Sequence, residues 1–239
     1  MIKLVGVSYN YPSDIKALDN VTLEISEGIT VIIGPNGAGK TTLLKVMGCI
    51  LKPTRGKVLI DGADYWALRN DKRVSIRRKL VYVHEKPILL RGTVLDNLVY
   101  PLVLRGVPRN VAEEKALELL EFVGRLDLAH RRRKELSAGE AQLVAFLRAL
   151  IVDPSYLLLD EPTNTLDLEK REIVERTLRE LARDGKSIVI ATHDRLLALS
   201  LAERVIVMNN GRVEKTMSRK ELIEEFSIDL HELLQGSGI

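Results

Sequence analysis

Short apolar runs separated by glycine-rich and charged breaks set the rhythm of this chain. The runs at 3–9, 18–25, 31–33, 58–60, 80–83, 156–159 and 188–191 are too short for helices and predict strands. Residues 204–208 and 212–216 flank Asn209-Asn210-Gly211 and predict a hairpin, and Pro53-Thr-Arg-Gly56 predicts a turn. Helical spacing takes over elsewhere. Leu43, Leu44, Val46 and Met47 share a face, and 93–104 is mostly apolar. In 111–123, Ala112, Ala116, Leu119, Leu120 and Val123 form one stripe. Further helices are expected from 137 to about 152, from 167 to about 183, and after Ser218, the last with Leu222, Ile223 and Phe226. Ser137-x-x-Glu140 and Ser218-x-x-Glu221 are capping-box patterns that would start two of them. Residues 237–239 are expected to fray. Strands alternating with helices predict an α/β fold, with a helical insertion between the strands at 80–83 and 156–159.

Composition narrows this little further. The 239 residues suffice for one domain with a subdomain, and 46% hydrophobic with 29% charged residues is ordinary for a globular protein. A net charge of +3 is too balanced to argue for nucleic acid. The basic run His130-Arg-Arg-Arg-Lys134 lacks interleaved aromatics and reads as a solvated loop. Cys49 is the lone cysteine, which excludes an internal disulfide and fits a reducing compartment. No apolar run reaches the ~18 residues of a membrane span. Two glutamines against abundant Lys, Arg and Glu lean towards a thermophilic source.

The chemistry gathers at breaks between runs. Gly34-Pro35-Asn36-Gly37-Ala38-Gly39-Lys40-Thr41-Thr42 fits G-x-x-x-x-G-K-[ST] and lies between a strand and a helix, the setting a phosphate cradle needs. Backbone N–H groups and the helix N-terminus favour polyphosphate there; Lys40 would reach the outer phosphates and Thr41 would ligate Mg²⁺. Tyr156-Leu-Leu-Leu ends in Asp160-Glu161, paired acids at a buried strand tip. Asp160 suits Mg²⁺, and Glu161 suits a base acting on the water that attacks a γ-phosphate. Ser137 caps a helix and can also face an anion. Taken alone, Tyr11 could stack on a base or cover a core edge, and His193 after a strand reads as structural.

The phosphate loop, Leu136-Ser137-Ala138-Gly139-Glu140, Asp160-Glu161 and His193, in that order, resemble the ATP-binding-cassette (ABC) ATPases from Lys3 to about Thr216. The resemblance implies an α/β fold of the phosphate-loop NTPase kind: a mixed-sheet core, an antiparallel β subdomain and an α-helical subdomain. On this reading 1–85 and 154–217 form the ATP-binding core, 86–153 the helical subdomain and 218–239 a C-terminal helix. It implies ATP and Mg²⁺, with two ATP molecules enclosed in an ATP-dependent head-to-tail homodimer. Tyr11 falls where the family places an aromatic against adenine. Ser137, Gly139 and Glu140 match the signature segment that contacts the partner's ATP. Asn164-Thr165-Leu166-Asp167 matches the loop crossing the dimer interface. His193 matches the switch histidine, which replaces the structural reading, and Glu161 the catalytic carboxylate.

Three positions depart from the pattern. Glu85 stands where the family usually has a glutamine sensing Mg²⁺ and the partner; a carboxylate can still ligate Mg²⁺ but adds negative charge. Ala138 replaces a common glycine. Leu143 stands where arginine often follows Gln142, so an ion pair on the helix surface is expected to be missing.

The resemblance implies an ATP-hydrolysing subunit that powers transport by dimer closure and opening. Separate transmembrane permease subunits would dock in the groove beside Glu85 to Leu104, a solute-binding protein would serve the same system, and no nucleic acid is involved. The segment Lys86 to Val94 looks import-type and is similar to importers of oxyanions such as tungstate or molybdate. The location implied is cytoplasmic, peripheral on the inner face of the cell membrane. The alternatives are a soluble ABC ATPase of cofactor assembly and a regulatory ATP-binding protein.

Overall fold

The computed structural model describes residues 1–225. Strands β1 (Ile2–Asn10), β2 (Lys16–Ile25) and β3 (Gly28–Ile33) lead through the phosphate loop into α1 (Lys40–Met47). Then come β4 (Arg55–Ile60), β5 (Ala63–Asp64), α2 (Asn70–Arg77) and β6 (Leu80–Val83). The insertion contributes α3 (Val94–Val103), α4 (Arg109–Phe122) and α5 (Ala138–Leu150). The chain returns through β7 (Tyr156–Asp160), α6 (Leu168–Arg183), β8 (Ser187–Ala191), α7 (Arg195–Leu201), β9 (Arg204–Asn209) and β10 (Arg212–Ser218).

These strands make two sheets. One is antiparallel, in the order β2-β1-β4-β5; the other runs β10-β9-β3-β8-β7-β6 and is parallel except for its β10 edge. This is the expected mixed α/β architecture. Every residue of β3, β7 and β8 is buried, because the parallel sheet is covered on both faces. Successive side chains therefore enter different cores. Leu157 and Leu159 join the cluster built with α3 to α6, whereas Leu158 joins the one built with α1 and the antiparallel sheet. The register Leu159↔Ile190, Ile32↔Ala191 and Val83↔Leu159 brings four strand ends level. Ligands of open α/β sheets bind at such carboxyl ends.

Differences from the sequence reading have local causes. The expected turn at 53–56 is shorter, since β4 already begins at Arg55, where a bulge in β1 between Val5 and Ser8 lets Ser8 pair with Arg55. Helix α2 escaped the pattern because it buries no residue, and α7 because it is short. Leu143 lies wholly inside the core, so position 143 is not on the helix surface, and apolar packing takes the place of the ion pair considered there. Residues 219–225 are helical behind a formed Ser218–Glu221 capping box; Phe226 and the fraying expected at 237–239 lie outside the described residues.

Candidate active site

The phosphate loop leaves the end of β3 and closes on α1, whose N-cap is Gly39 with φ 98°. A side chain there is excluded twice. The backbone angle is left-handed, and a Cβ would stand 2.5 Å from the Ala17 carbonyl oxygen. Lys40 is buried, and its ammonium donates to the carbonyls of Gly34 at 2.7 Å and Pro35 at 3.1 Å. An ammonium has three donors, so one is left for a phosphate oxygen.

Thr41 and Asp160 meet across the gap between α1 and β7: the Thr41 hydroxyl donates to Asp160 Oδ1 at 3.0 Å. The Tyr82 phenol donates to Asp160 Oδ2 at 2.8 Å. Burial, then the neighbouring Asp160 charge, pushes the Tyr82 phenol far above its ordinary range, so it stays a donor. Tyr11 reaches the same loop. Its phenol hydrogen-bonds Thr42 Oγ1 at 3.1 Å, and its ring meets Tyr9 edge-on at 5.0 Å.

Glu161, one residue past β7, is nearly buried and holds a left-handed backbone with φ 46°. Such conformations persist only where the surroundings enforce them. Here its N–H donates to the Ala191 carbonyl at 2.9 Å, tying it to the end of β8. Its Oε2 accepts from the Thr192 hydroxyl at 2.8 Å, and its Oε1 accepts from the His193 backbone N–H at 3.0 Å. His193 Nδ1 lies 2.8 Å from Oε1. With Glu161 ionised, Nδ1 carries the proton in that contact. Three donors thus hold the carboxylate at the cavity edge.

Tyr11, Lys40, Thr41, Thr42, Asp160, Glu161 and His193 line one cavity of about 430 Å³, together with Asn36 to Gly39, Lys16, Glu85 and Asn164. Its size suits a nucleotide. Glu85, Asp160 and Glu161 bring negative charge to the cavity, and Lys16 and Lys40 bring positive charge. Thr41, Asp160 and Glu85 offer the hard oxygen donors that Mg²⁺ prefers. No group of three or more His, Cys, Asp or Glu that could hold a metal ion occurs among the described residues.

Ser137, Gly139 and Glu140 lie outside this cavity. Ser137 caps α5: its Oγ accepts from the Glu140 N–H at 3.2 Å, and its own N–H donates to Glu140 Oε2 at 2.8 Å. A Cβ on Gly139 would stand 3.0 Å from the Thr165 carbonyl oxygen, so α5 begins directly against the 164–167 loop. The Glu140 carboxyl also meets Arg131 at 3.1 Å and Arg125 at 3.5 Å. Hydrogen bonding from Ser137 first, and these cations after it, hold Glu140 below the usual carboxylate range. A depressed acid stabilises the fold above its unfolded pKa and loses that contribution as pH falls through its folded value. Glu140→Gln should therefore flatten the loss of melting temperature below about pH 4 and cost less than about 1 kcal/mol at pH 7. Melting curves from pH 3 to 7 check both.

Tyr82 and Thr192 are the partners that sequence reasoning missed. Each sits in or beside an apolar run, where its hydroxyl passes for an ordinary strand residue. A second cavity, of about 230 Å³, lies between β6 and helices α3 and α5 and is lined by His84, Lys86, Pro87, Ile88 and Arg148 among others. Ile88, Tyr100 and Leu104 stand exposed near it in sequence, at 59%, 49% and 65%. No helix among the described residues is long and apolar enough to cross a membrane.

The ABC transporter family pattern matches residues 18–164. That range takes in the loop, the signature segment and the paired acids. The chain belongs to the ABC transporter ATPases. It is 38% identical over 216 residues to a methionine import ATP-binding protein of Carboxydothermus hydrogenoformans, covering 89% of this chain but only 64% of that relative. A phosphate import ATP-binding protein of Natronomonas pharaonis is 37% identical, over 89% of this chain and 78% of its own length. A lipoprotein-releasing ATP-binding protein of Bacteroides thetaiotaomicron is 38% identical, over 90% and 100%. Among solved structures, a dimeric ATP-binding cassette in a post-hydrolysis state with ADP and phosphate superposes with a TM-score of 0.84 at 35% identity. It covers 92% of this chain and 99% of the other. This ABC ATPase thus shares its fold with proteins named for uptake and for release.

Proposed function

We propose that this ABC ATPase hydrolyses ATP at a site shared by two head-to-tail copies and passes the resulting motion to separate membrane permease subunits. One observation carries the reading: Lys40, Asp160, Glu161 and His193 border a single cavity, while Ser137, Gly139 and Glu140 do not line it. A second copy would supply the signature segment. The dimeric post-hydrolysis relative supports that arrangement.

Within the site, Lys40 and the N–H groups of 36–42 bind the phosphates, and Tyr11 borders the base. Mg²⁺ held by Thr41 and Asp160, with Glu85 beside them, would neutralise charge on the β- and γ-phosphates. Glu161 orients a water and takes its proton as the water oxygen bonds to the γ-phosphorus and the bond to ADP breaks. Thr192 and His193 keep the Glu161 carboxylate pointed for that transfer.

The groove at His84 to Ile88 would seat the permease, placing the protein on the inner face of the membrane. Import is the favoured direction, with an inorganic oxyanion such as tungstate or molybdate as solute and a solute-binding protein delivering it. The phosphate-import relative and the segment from Lys86 to Val94 support this. Deleting the gene should lower uptake of labelled tungstate or molybdate; intact uptake with impaired release of a cell component would reverse the direction. The rate of ATP hydrolysis per subunit should rise with protein concentration, as a site shared between chains requires. An absence of turnover at every concentration would leave an ATP-binding regulator instead.

A further inference from the structure

Asp160 is gripped from two sides by two different strands of sequence. It is 4% exposed, and each carboxylate oxygen has its own hydroxyl donor: Thr41 on Oδ1 at 3.0 Å and Tyr82 on Oδ2 at 2.8 Å. The ladder explains the second contact. Strands β6 and β7 run parallel with Tyr82 opposite Leu158, so Tyr82 and Asp160 sit two residues apart on the same face of the sheet. The Tyr82 ring packs against the apolar cluster under α1, and its edge meets the His84 imidazole at 4.6 Å with the planes 79° apart. These contacts hold the phenol against Asp160.

A carboxylate anchored through one oxygen can turn about its last bond; anchored through both, it cannot. Thr41 belongs to the nucleotide loop and is itself a candidate metal ligand, so its bond to Oδ1 is the one that binding would exchange. The Tyr82 bond to Oδ2 is the one that would persist. We propose that Tyr82 is a positioning residue of this ATPase, holding Asp160 in the orientation that receives Mg²⁺. The proposal rests on the reading of Asp160 as the metal-side carboxylate.

The test is a fluorescence titration of the whole chain with N-methylanthraniloyl-ATP, at rising Mg²⁺ and in excess EDTA. The proteins compared are wild type, Tyr82→Phe and Asp160→Asn. Removing a partner that orients a metal ligand costs about tenfold or more in metal affinity. Tyr82→Phe should thus raise the Mg²⁺ concentration at half-effect about tenfold, while nucleotide affinity in EDTA stays unchanged. Turnover should fall at sub-saturating Mg²⁺ and recover as Mg²⁺ is raised, because the base and the phosphate contacts are intact. If Asp160→Asn shifts the Mg²⁺ midpoint and Tyr82→Phe does not, Tyr82 has no positioning role, whatever it does to the melting temperature. If neither variant shifts it, the metal-side reading of Asp160 fails first. Tyr82→Met, which fills the same apolar bed without a hydroxyl, repeats the measurement should the phenylalanine variant fold poorly.

Discussion

Glu161→Gln should lower steady-state ATP turnover about a thousandfold while ATP stays bound. The substitution keeps the side chain's length and shape, and Lys40, Thr41 and the loop are untouched. What disappears is the capacity to take a proton from water. The local bonds are also perturbed in a defined way. Both Glu161 oxygens are acceptors, from Thr192 on one side and His193 on the other. An amide offers one acceptor and one donor, so it keeps the His193 side only if the Thr192 hydroxyl turns to accept. That adjustment is small beside the loss of the base. The checks are single-turnover hydrolysis and gel filtration with Mg-ATP, which should show an ATP-bound dimer that no longer reopens. Turnover near the wild-type rate would remove Glu161 from the chemistry.

Lys40→Ala should act one step earlier and weaken ATP binding itself by about two orders of magnitude. Its ammonium is the buried cation of the loop, and a hydrogen bond to a charged group is worth about 1.5–3 kcal/mol. Two effects add: the phosphates lose a cation, and the Gly34 and Pro35 carbonyls lose the donor that holds the loop closed. Equilibrium binding of labelled ATP separates this variant from Glu161→Gln, which should bind normally. Comparable affinity in both would mean that the backbone N–H groups and helix N-terminus suffice to hold the phosphates.

The two variants differ because the site was assembled from parts that carry unequal signals in the chain. The glycine pattern around Lys40 could be read directly, since steric need fixes both residue type and spacing. The Asp160-Glu161 pair could be read because two acids at the tip of an apolar run need a reason. Strand positions were legible wherever both faces are buried, as at 156–160 and 188–191. Helix α2 was not, because it buries no residue. Tyr82 and Thr192 were hidden for another reason: their importance comes from the β6–β7–β8 register, which pairing between distant segments creates. Position 143 misled because the expectation attached to an arginine placed it on the surface, whereas leucine there lies inside the core.

Cys49 follows the same logic of surroundings over residue type. Burial pushes its thiol up to about 12, so it serves as a small core residue and should resist alkylation in the native state.

The central claim is that one copy's phosphate loop works with the other copy's signature segment. The direct measurement is a mixing experiment with two variants that are each inactive alone, Lys40→Ala and Ser137→Arg. Combined in equal amounts, they can form a dimer with one intact composite site and one doubly broken site. The expected result is ATP hydrolysis in the mixture where neither variant alone shows any. Continued silence of the mixture, with mixed dimers demonstrated by cross-linking, would contradict a site shared between two copies.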